Sequence, residues 1–485
     1  MYYNIHACTI QKNARPRKRA GGKPLRPPPP PSEPSPKALL AAFRRLLPSR
    51  QLWQLACLKQ GRFYDRLFTP PVTLWSLIFQ RLAADHTLEQ VVADALAGGA
   101  DALGRGLSKK LRSAATVSFS NARQRLPLAF LFDSLARQAR RILTLNPDTL
   151  WHGLIVCLLD GSTVRLRPYG DIPRRFPPNG NQARSVPYWC LMRVVVGFCA
   201  RSGAALACAR GSFFRSEQLL ACRMMLRRTI GPCLYVGDRN LGLFRIVQTA
   251  RIVGGHVLLR WTDIRARRLL GRPLRLGSHP VLWSPTSHDR LQPGCSKAPL
   301  PGRLLVVAIR RKGFRSQTLY LFTSLTDPVD YPLSELVDLY GLRWHIELNL
   351  RHLKTQRRLV QLECQSAPMA QKEWLAGLMA YNVLRTAMLC AALRRQISPL
   401  LLSFSLSRRH LEHGLALYGS GAATLREWHR LLALLGQARW PRRRKPRPQE
   451  PRAQRHLRQP YPPLIGSREK ARQQLKRTPN CAHKN

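Results

Sequence analysis

Apolar residues first recur with helical spacing at Leu74, Leu77, Ile78 and Leu82, offsets of three, four and eight that share one face. Thr87 then precedes LEQVVADAL, where Thr87 and Gln90 make a capping box. After GGADALGRGL comes SFSNARQRLPLAFLF, in which Ser118 or Ser120 can cap a helix carrying Asn121, Arg123, Gln124 and Arg125. The period changes near Trp151. LIVCLLD (Leu154–Asp160) is a continuous apolar run ending in an acid, the pattern of a buried strand with a functional group at its carboxyl end. GST follows as a turn and TVRLRP as a neighbouring strand. YWCLMRVVVGFCA (Tyr188–Ala200) reads as a third strand, continued by ALACARGSF. Ser216 opens a helix over EQLLACRMMLRRTI, Pro232 introduces the short strand CLYVGD ending at Asp238, and LGLFRIVQTA is the next helix.

This alternation predicts an α/β layer with Asp160 and Asp238 at strand carboxyl ends. From Gly254 to Thr326 the pattern is β-rich, with HVLLRW, PVLWS, RLLVVAIRR and TLYLFTSL separated by turn-like and basic segments. Pro332 starts a helix that holds Tyr340–Lys354, and the long apolar LAGLMAYNVLRTAMLCAAL follows. The organisation expected is a basic proline-rich arm (1–37), a helical domain (38–145) and an α/β domain (146–405) with a β-rich insertion at 254–326. C-terminal helices (406–438) and a basic disordered tail (439–485) complete it. The two basic ends bury too little apolar surface to fold. The Asn/Arg/Gln-rich helix suits groove reading, with Arg123 and Arg125 as DNA contacts; an ordinary helical bundle with a polar surface explains the same pattern.

Charge narrows the partner. The 485 residues carry 80 Lys and Arg against 25 Asp and Glu, net +55, with 45% hydrophobic content. Such a chain has a core and calls for a polyanionic partner, nucleic acid first. Arginine dominates, and its fork suits phosphate, although a GC-rich genome enriches it too. The 12 cysteines show no CxxC pair or zinc spacing and read as reduced thiols. The start lacks the apolar core of a secretory signal, and no apolar run approaches the roughly 18 residues of a span. The expectation is a soluble, cytoplasmic, nucleoid-associated bacterial protein without a membrane partner.

With few acids in the chain, an acid in an apolar setting is informative. YGLRWHIELNLRHLK places Tyr340, Arg343, Glu347 and Lys354 within a stripe about 60° wide on one α-helix. A surface helix with an Arg343–Glu347 ion pair is the plain alternative. DGS and GDRN, at Asp160 and Asp238, also suit turns. Taken together, Asp160, Asp238 and Glu347 suggest a carboxylate set for two Mg²⁺ ions, with Mn²⁺ as a substitute, acting on phosphodiesters. Asp160 is the ligand shared by both ions in that reading. An RNA-associated structural protein explains the charge but not the ordered acids.

LLDGST, YVGDRN and the signature Tyr340, Arg343, Glu347, Lys354 resemble the DDE transposases of bacterial insertion sequences, nearest to insertion-sequence family four. That family is defined by Tyr, two residues, Arg, three residues, Glu, six residues, Lys. SNARQRL, TSLTD, AYNVLR and SFSLSRR add to the similarity, which covers about residues 70–410. The resemblance implies a ribonuclease H-like core with a β-strand insertion, and cut-and-paste movement by a homodimer holding both ends of the element on double-stranded DNA. It also implies Asp160, Asp238 and Glu347 as catalytic metal ligands, with Tyr340, Arg343 and Lys354 holding phosphates. Arg239, beside the second acid, joins the expected DNA contacts. Hairpin chemistry needs an aromatic for a flipped base; Trp261 and Trp283 are candidates, with core tryptophan as the alternative. The sequence departs from many relatives at Asp238-Arg239-Asn240, where they have Asp-Arg-Gly. Both tails also lack a counterpart. A catalytically silent DNA-binding derivative and a ribonuclease H-like nuclease without strand transfer are the rival functions.

Overall fold

In the computed structural model, residues 67–439 are described apart from 84–85, 105, 147–148, 179–188, 272–273, 310–316, 357–358 and 412–423, together with Ser467 and Gln473. The expected arm at 1–37, the start of the helical domain and nearly all of the basic tail lie outside the described residues.

Helices α1 (Pro70–Leu82), α2 (Leu88–Leu96), α3 (Val117–Arg125) and α4 (Leu128–Leu145) come first. Leu74, Leu77, Ile78 and Leu82 of α1 are buried, as their spacing predicts. Thr87 caps α2 by accepting from the Gln90 backbone N–H at 3.1 Å. Helix α3 begins one turn earlier than expected, with Thr116 at the cap and Ser118 and Ser120 inside it.

Among the described residues, ten strands form one mixed sheet: β1 (Leu150–Trp151), β2 (Leu154–Leu166), β3 (Cys190–Cys199), β4 (Ala205–Ser212), β5 (Cys233–Gly237), β6 (His256–Trp261), β7 (Gly277–Trp283), β8 (Leu300–Ile309), β9 (Gln317–Thr323) and β10 (Gln361–Leu362). The order is β4-β3-β2-β5-β6-β9-β8-β7, with short β1 and β10 both on β2. Strands β2, β5 and β6 run parallel, joined by helices α5 (Glu217–Leu226) and α6 (Phe244–Ile252). Helix α7 (Asp263–Leu270) follows β6.

Two expectations fail here. GST is not a turn: β2 is one strand of 13 residues, and Gly161, Ser162 and Thr163 pair with Val195, Val194 and Arg193. A continuous antiparallel ladder with β3 satisfies those backbone groups, so local turn propensity loses to pairing. Asp160 therefore lies mid-strand. ALACARGSF, expected to continue the third strand, is the separate strand β4, returning antiparallel to β3. The β-rich block from 254 does not form a sheet of its own. Its first strand, β6, continues the parallel set, and β9 pairs antiparallel with β6 to carry β8 and β7 outward.

Alternation along β2 separates the two faces. Val156, Leu158, Val164 and Leu166 pack on the side of α1 and the long helices. Ile155, Cys157 and Leu159 pack on the side of α5 and α6. Leu234 and Val236 of β5 share the first side, and Cys233 and Tyr235 the second.

Beyond the sheet come α8 (Leu333–Gly341), α9 (Trp344–Arg351), α10 (Ala367–Arg394) and α11 (Leu425–Gln437). Helix α10 is long and apolar enough to cross a membrane by composition, but its most apolar window is 89% buried inside the protein. Near its start, Glu373 pairs with Arg81 of α1 and with Arg123 of α3, the latter at 3.3 Å. Lys372 Nζ donates to the carbonyls of Gln124 (2.6 Å) and Arg123 (3.1 Å), which are orphaned acceptors at the end of α3. This hub ties the first helices to the rest.

Trp261 and Trp283, expected as stacking candidates, are core residues. Trp261 is 2% exposed and stacks on Phe322 with ring centres 5.0 Å apart. Trp283 meets Trp261 edge-on at 4.6 Å and Phe244 at 5.6 Å. Strand alternation turns both inward, where their rings pack against Phe322 and Phe244.

Two outcomes follow for stability. Glu373→Ala strands the buried Arg81 guanidinium, and a urea melt should lose about 3–5 kcal/mol. Trp261→Ala should cost about 3–5 kcal/mol through the cavity it leaves. A Trp261→Ala protein with wild-type stability and a selective hairpin defect would restore its stacking role.

Candidate active site

The parallel register of β2 and β5 pairs Leu158 with Val236. Carried two residues further along each chain, it sets Asp160 level with Asp238, about one strand spacing of 4.8 Å away. Alternation points both side chains to the face shared by Leu158 and Val236, the one covered by α8 and α9. Burial pushes the Asp160 carboxyl up to about 6, the Gly161 N–H opposes this, and repulsion from Asp238 adds to it. Arg343 offsets part of the rise, and Glu217 contributes a further push upward.

Asp238 directly follows β5. Its Oδ1 accepts from the N–H groups of Asn240 (2.9 Å) and Leu241 (3.3 Å), closing a side-chain turn. Asn240 does not use the left-handed backbone. Positive φ among described non-glycine residues is confined to His86, His152, Arg228 and Gln396.

The signature stretch is not one α-helix. Helix α8 ends at Gly341, α9 starts at Trp344, and His352–Gln356 is a π turn. An α-helical stripe therefore misplaces Lys354, because a π turn adds a residue per turn. The tertiary fold still brings the cations to the acids. Burial lowers the Lys354 pKa, the Arg165 charge lowers it further, and the nearby Asp160 carboxylate works against both. The Tyr340 phenol is raised by burial and lies near Arg343, Arg260 and Asp238. Arg343 Nη2 donates to Glu347 Oε1 at 3.4 Å.

The back of α9 is fixed from the core. Arg385 Nη2 donates to Asn349 Oδ1 at 2.6 Å, and its Nε donates to the Tyr381 hydroxyl at 2.8 Å. His352 stacks on Phe404 at 4.4 Å, and burial drives its pKa down to about 2, keeping it neutral.

Of the expected site residues, Asp160, Asp238, Tyr340, Arg343 and Lys354 come together. Glu347 joins through Arg343: among the described residues no three His, Cys, Asp or Glu side chains are grouped closely enough to hold a metal ion. Arg239 and Arg125 are exposed. Arg123 points its guanidinium at Glu373 and is 14% exposed, so it acts as a bridge within the chain rather than a free DNA contact. Glu217 is the residue that sequence reasoning passed over. Its one local signal is Gly161, where an added Cβ would lie 2.4 Å from the Glu217 carboxyl carbon.

Residues 151–383 match the family described as Transposase DDE domain. Over 326 residues the chain is 28% identical to Transposase InsG for insertion sequence element IS4 of Escherichia coli (strain K12), a match spanning 65% of this chain and 71% of that protein. The chain is also similar to a cryo-EM structure of the piggyBac transposase synaptic complex with hairpin DNA. That match covers 83% of this chain and 86% of the other at 10% identity and a TM-score of 0.39. The acids, the Tyr-Arg-Glu-Lys signature and the matched stretch fall in the same part of the sequence, and through residues 151–383 the chain is similar to the DDE transposases of insertion sequences.

Proposed function

We propose that this transposase cuts and rejoins the ends of its insertion sequence by metal-assisted phosphodiester hydrolysis followed by strand transfer, as a homodimer on double-stranded terminal repeats. Strands β4-β3-β2-β5-β6 with their helices form the ribonuclease H-like layer of that reading. The observation that carries it is the β2–β5 register, which sets Asp160 beside Asp238 on the face that Arg343 and Lys354 reach.

The donors are oxygens alone, which suits Mg²⁺, or Mn²⁺ in its place. A buried carboxyl raised to about 6 by its surroundings and its acidic neighbours gains most from a nearby cation. Two such ions would supply activation of the attacking water or hydroxyl and stabilisation of the leaving oxygen. Asp160 and Asp238 would hold them, with Glu347 turned from Arg343 to complete the set. Arg343 and Lys354 neutralise the scissile phosphate, and Tyr340 closes the buried side of the site.

A catalytically silent DNA-binding derivative draws on one observation, the tether of Glu347 to Arg343 away from the two aspartates. A Mg²⁺-dependent nicking assay on the element's terminal repeats separates the readings. Asp160→Asn, Asp238→Asn and Glu347→Gln should each abolish nicking while end binding, read by gel shift, persists. Wild-type nicking by any of them removes that residue from the site. Strand-transfer products from pre-cleaved ends distinguish a transposase from a simple nuclease.

The Asp160 carboxyl also ties stability to pH. Its folded pKa of about 6 exceeds the ordinary 3.8, so the folded chain keeps the proton to higher pH than the unfolded chain. That contribution is present below about pH 4 and is lost as pH rises through about 6. In metal-free buffer at about pH 8, Asp160→Asn should melt above the wild type, and the gap should close towards about pH 4.

A further inference from the structure

Resting on the reading of Asp160 and Asp238 as the acids of strand cleavage, we propose that Glu217 and Asn240 form a clamp holding Asp238 in place, with Glu217 a positioning residue. Three segments meet at this point: Asp160-Gly161 of β2, the start of α5, and the turn 238–240. Asn240 Nδ2 donates to Glu217 Oε2 at 2.7 Å. Gln218 Nε2 donates to both the Asn240 carbonyl (2.9 Å) and its Oδ1 (2.8 Å). Both ends of the Asn240 side-chain amide are thus engaged from consecutive residues of α5.

The same Asn240 gives its backbone N–H to Asp238 Oδ1 at 2.9 Å. One oxygen of Asp238 is thereby engaged by the turn, which fixes the carboxylate beside the Asp160 charge it repels. Helix α5 is itself anchored, since Ser216 caps it by accepting from the Leu219 N–H at 3.2 Å. Gly161 admits the Glu217 carboxylate over the strand, because a Cβ there would meet it at 2.4–2.5 Å. Placing a third carboxylate beside two others is unfavourable, and the amide proton of Asn240 together with the helix N-terminus offsets it. A glycine at position 240 has no side chain for such a clamp, so Asn240 performs here a task that glycine turns leave undone.

Glu217 works through the hydrogen bond rather than its charge, and that separates the variants. Two readouts apply: Mg²⁺-dependent nicking of terminal repeats, and Mn²⁺ binding without DNA, followed by loss of the free-ion paramagnetic resonance signal. Glu217→Ala and Asn240→Ala should each weaken both by about 10- to 100-fold, as lost outer supports of metal ligands do. The double variant should fall no further than either single one, within about threefold. Glu217→Gln keeps an amide oxygen for Asn240 Nδ2 and should stay within about threefold of wild type in both readouts. If Glu217→Ala fails to fold, Gln218→Ala paired with Asn240→Ala runs the same cycle. A Glu217→Gln protein as damaged as Glu217→Ala overturns the clamp, as do additive losses or a silent Asn240→Ala. Absence of nicking by the wild type would sink the transposition chemistry alone, because Mn²⁺ binding by the variants still judges the clamp.

Discussion

Parallel pairing between β2 and β5 is the constraint on which the site depends. Four register pairs, from Ile155 with Cys233 to Leu158 with Val236, determine which residues stand side by side where pairing stops. Because side chains alternate with a period of two, a slip of one residue would turn one aspartate to the opposite face. The apolar residues on each strand guard against that slip: Val156, Leu158, Leu234 and Val236 must all enter one core, and Ile155, Cys157, Cys233 and Tyr235 the other. The hydrophobic effect, acting over many residues, thus aims two carboxylates.

Electrostatics then decides what the aimed groups can do. Burial and mutual repulsion hold Asp160 well above the usual carboxylate range, while Arg343 and Lys354 supply the compensating field from α8–α9 and the π turn. The cations are themselves placed by a packed, hydrogen-bonded backing of Arg385, Asn349, Tyr381, His352 and Phe404. In a chain of net charge +55, the few acids are spent sparingly. Glu373 joins the first helices to α10, and Glu217 braces the turn beside Asp238.

Amphipathic and strand patterning located most elements. The spacing in α1, the caps at Thr87 and Ser216, and the runs that became β3, β5, β6, β8 and β9 were all readable. What went astray was local signal overruled by distant partners. Gly161-Ser162-Thr163 looks like a turn and is strand, since β3 lies alongside it. Trp261 and Trp283 suit a stacking role by residue type, yet alternation buries them against Phe322. Arg123 suits a groove by composition, yet a glutamate 250 residues away claims its guanidinium.

The sequence by itself carried the family resemblance, through a signature whose spacing is written along a single stretch, and the polyanionic partner implied by its charge. It also determined which acids were candidates, because acids ending apolar runs are few here. Only the tertiary structure decided that Asp160 and Asp238 stand level on one face, that the signature helix breaks at Leu342–Arg343, and that Glu217 reaches the site. Pairing register, helix breaks and contacts between distant segments depend on how whole surfaces pack, and that energy is shared among residues too far apart in the chain for a local pattern to record.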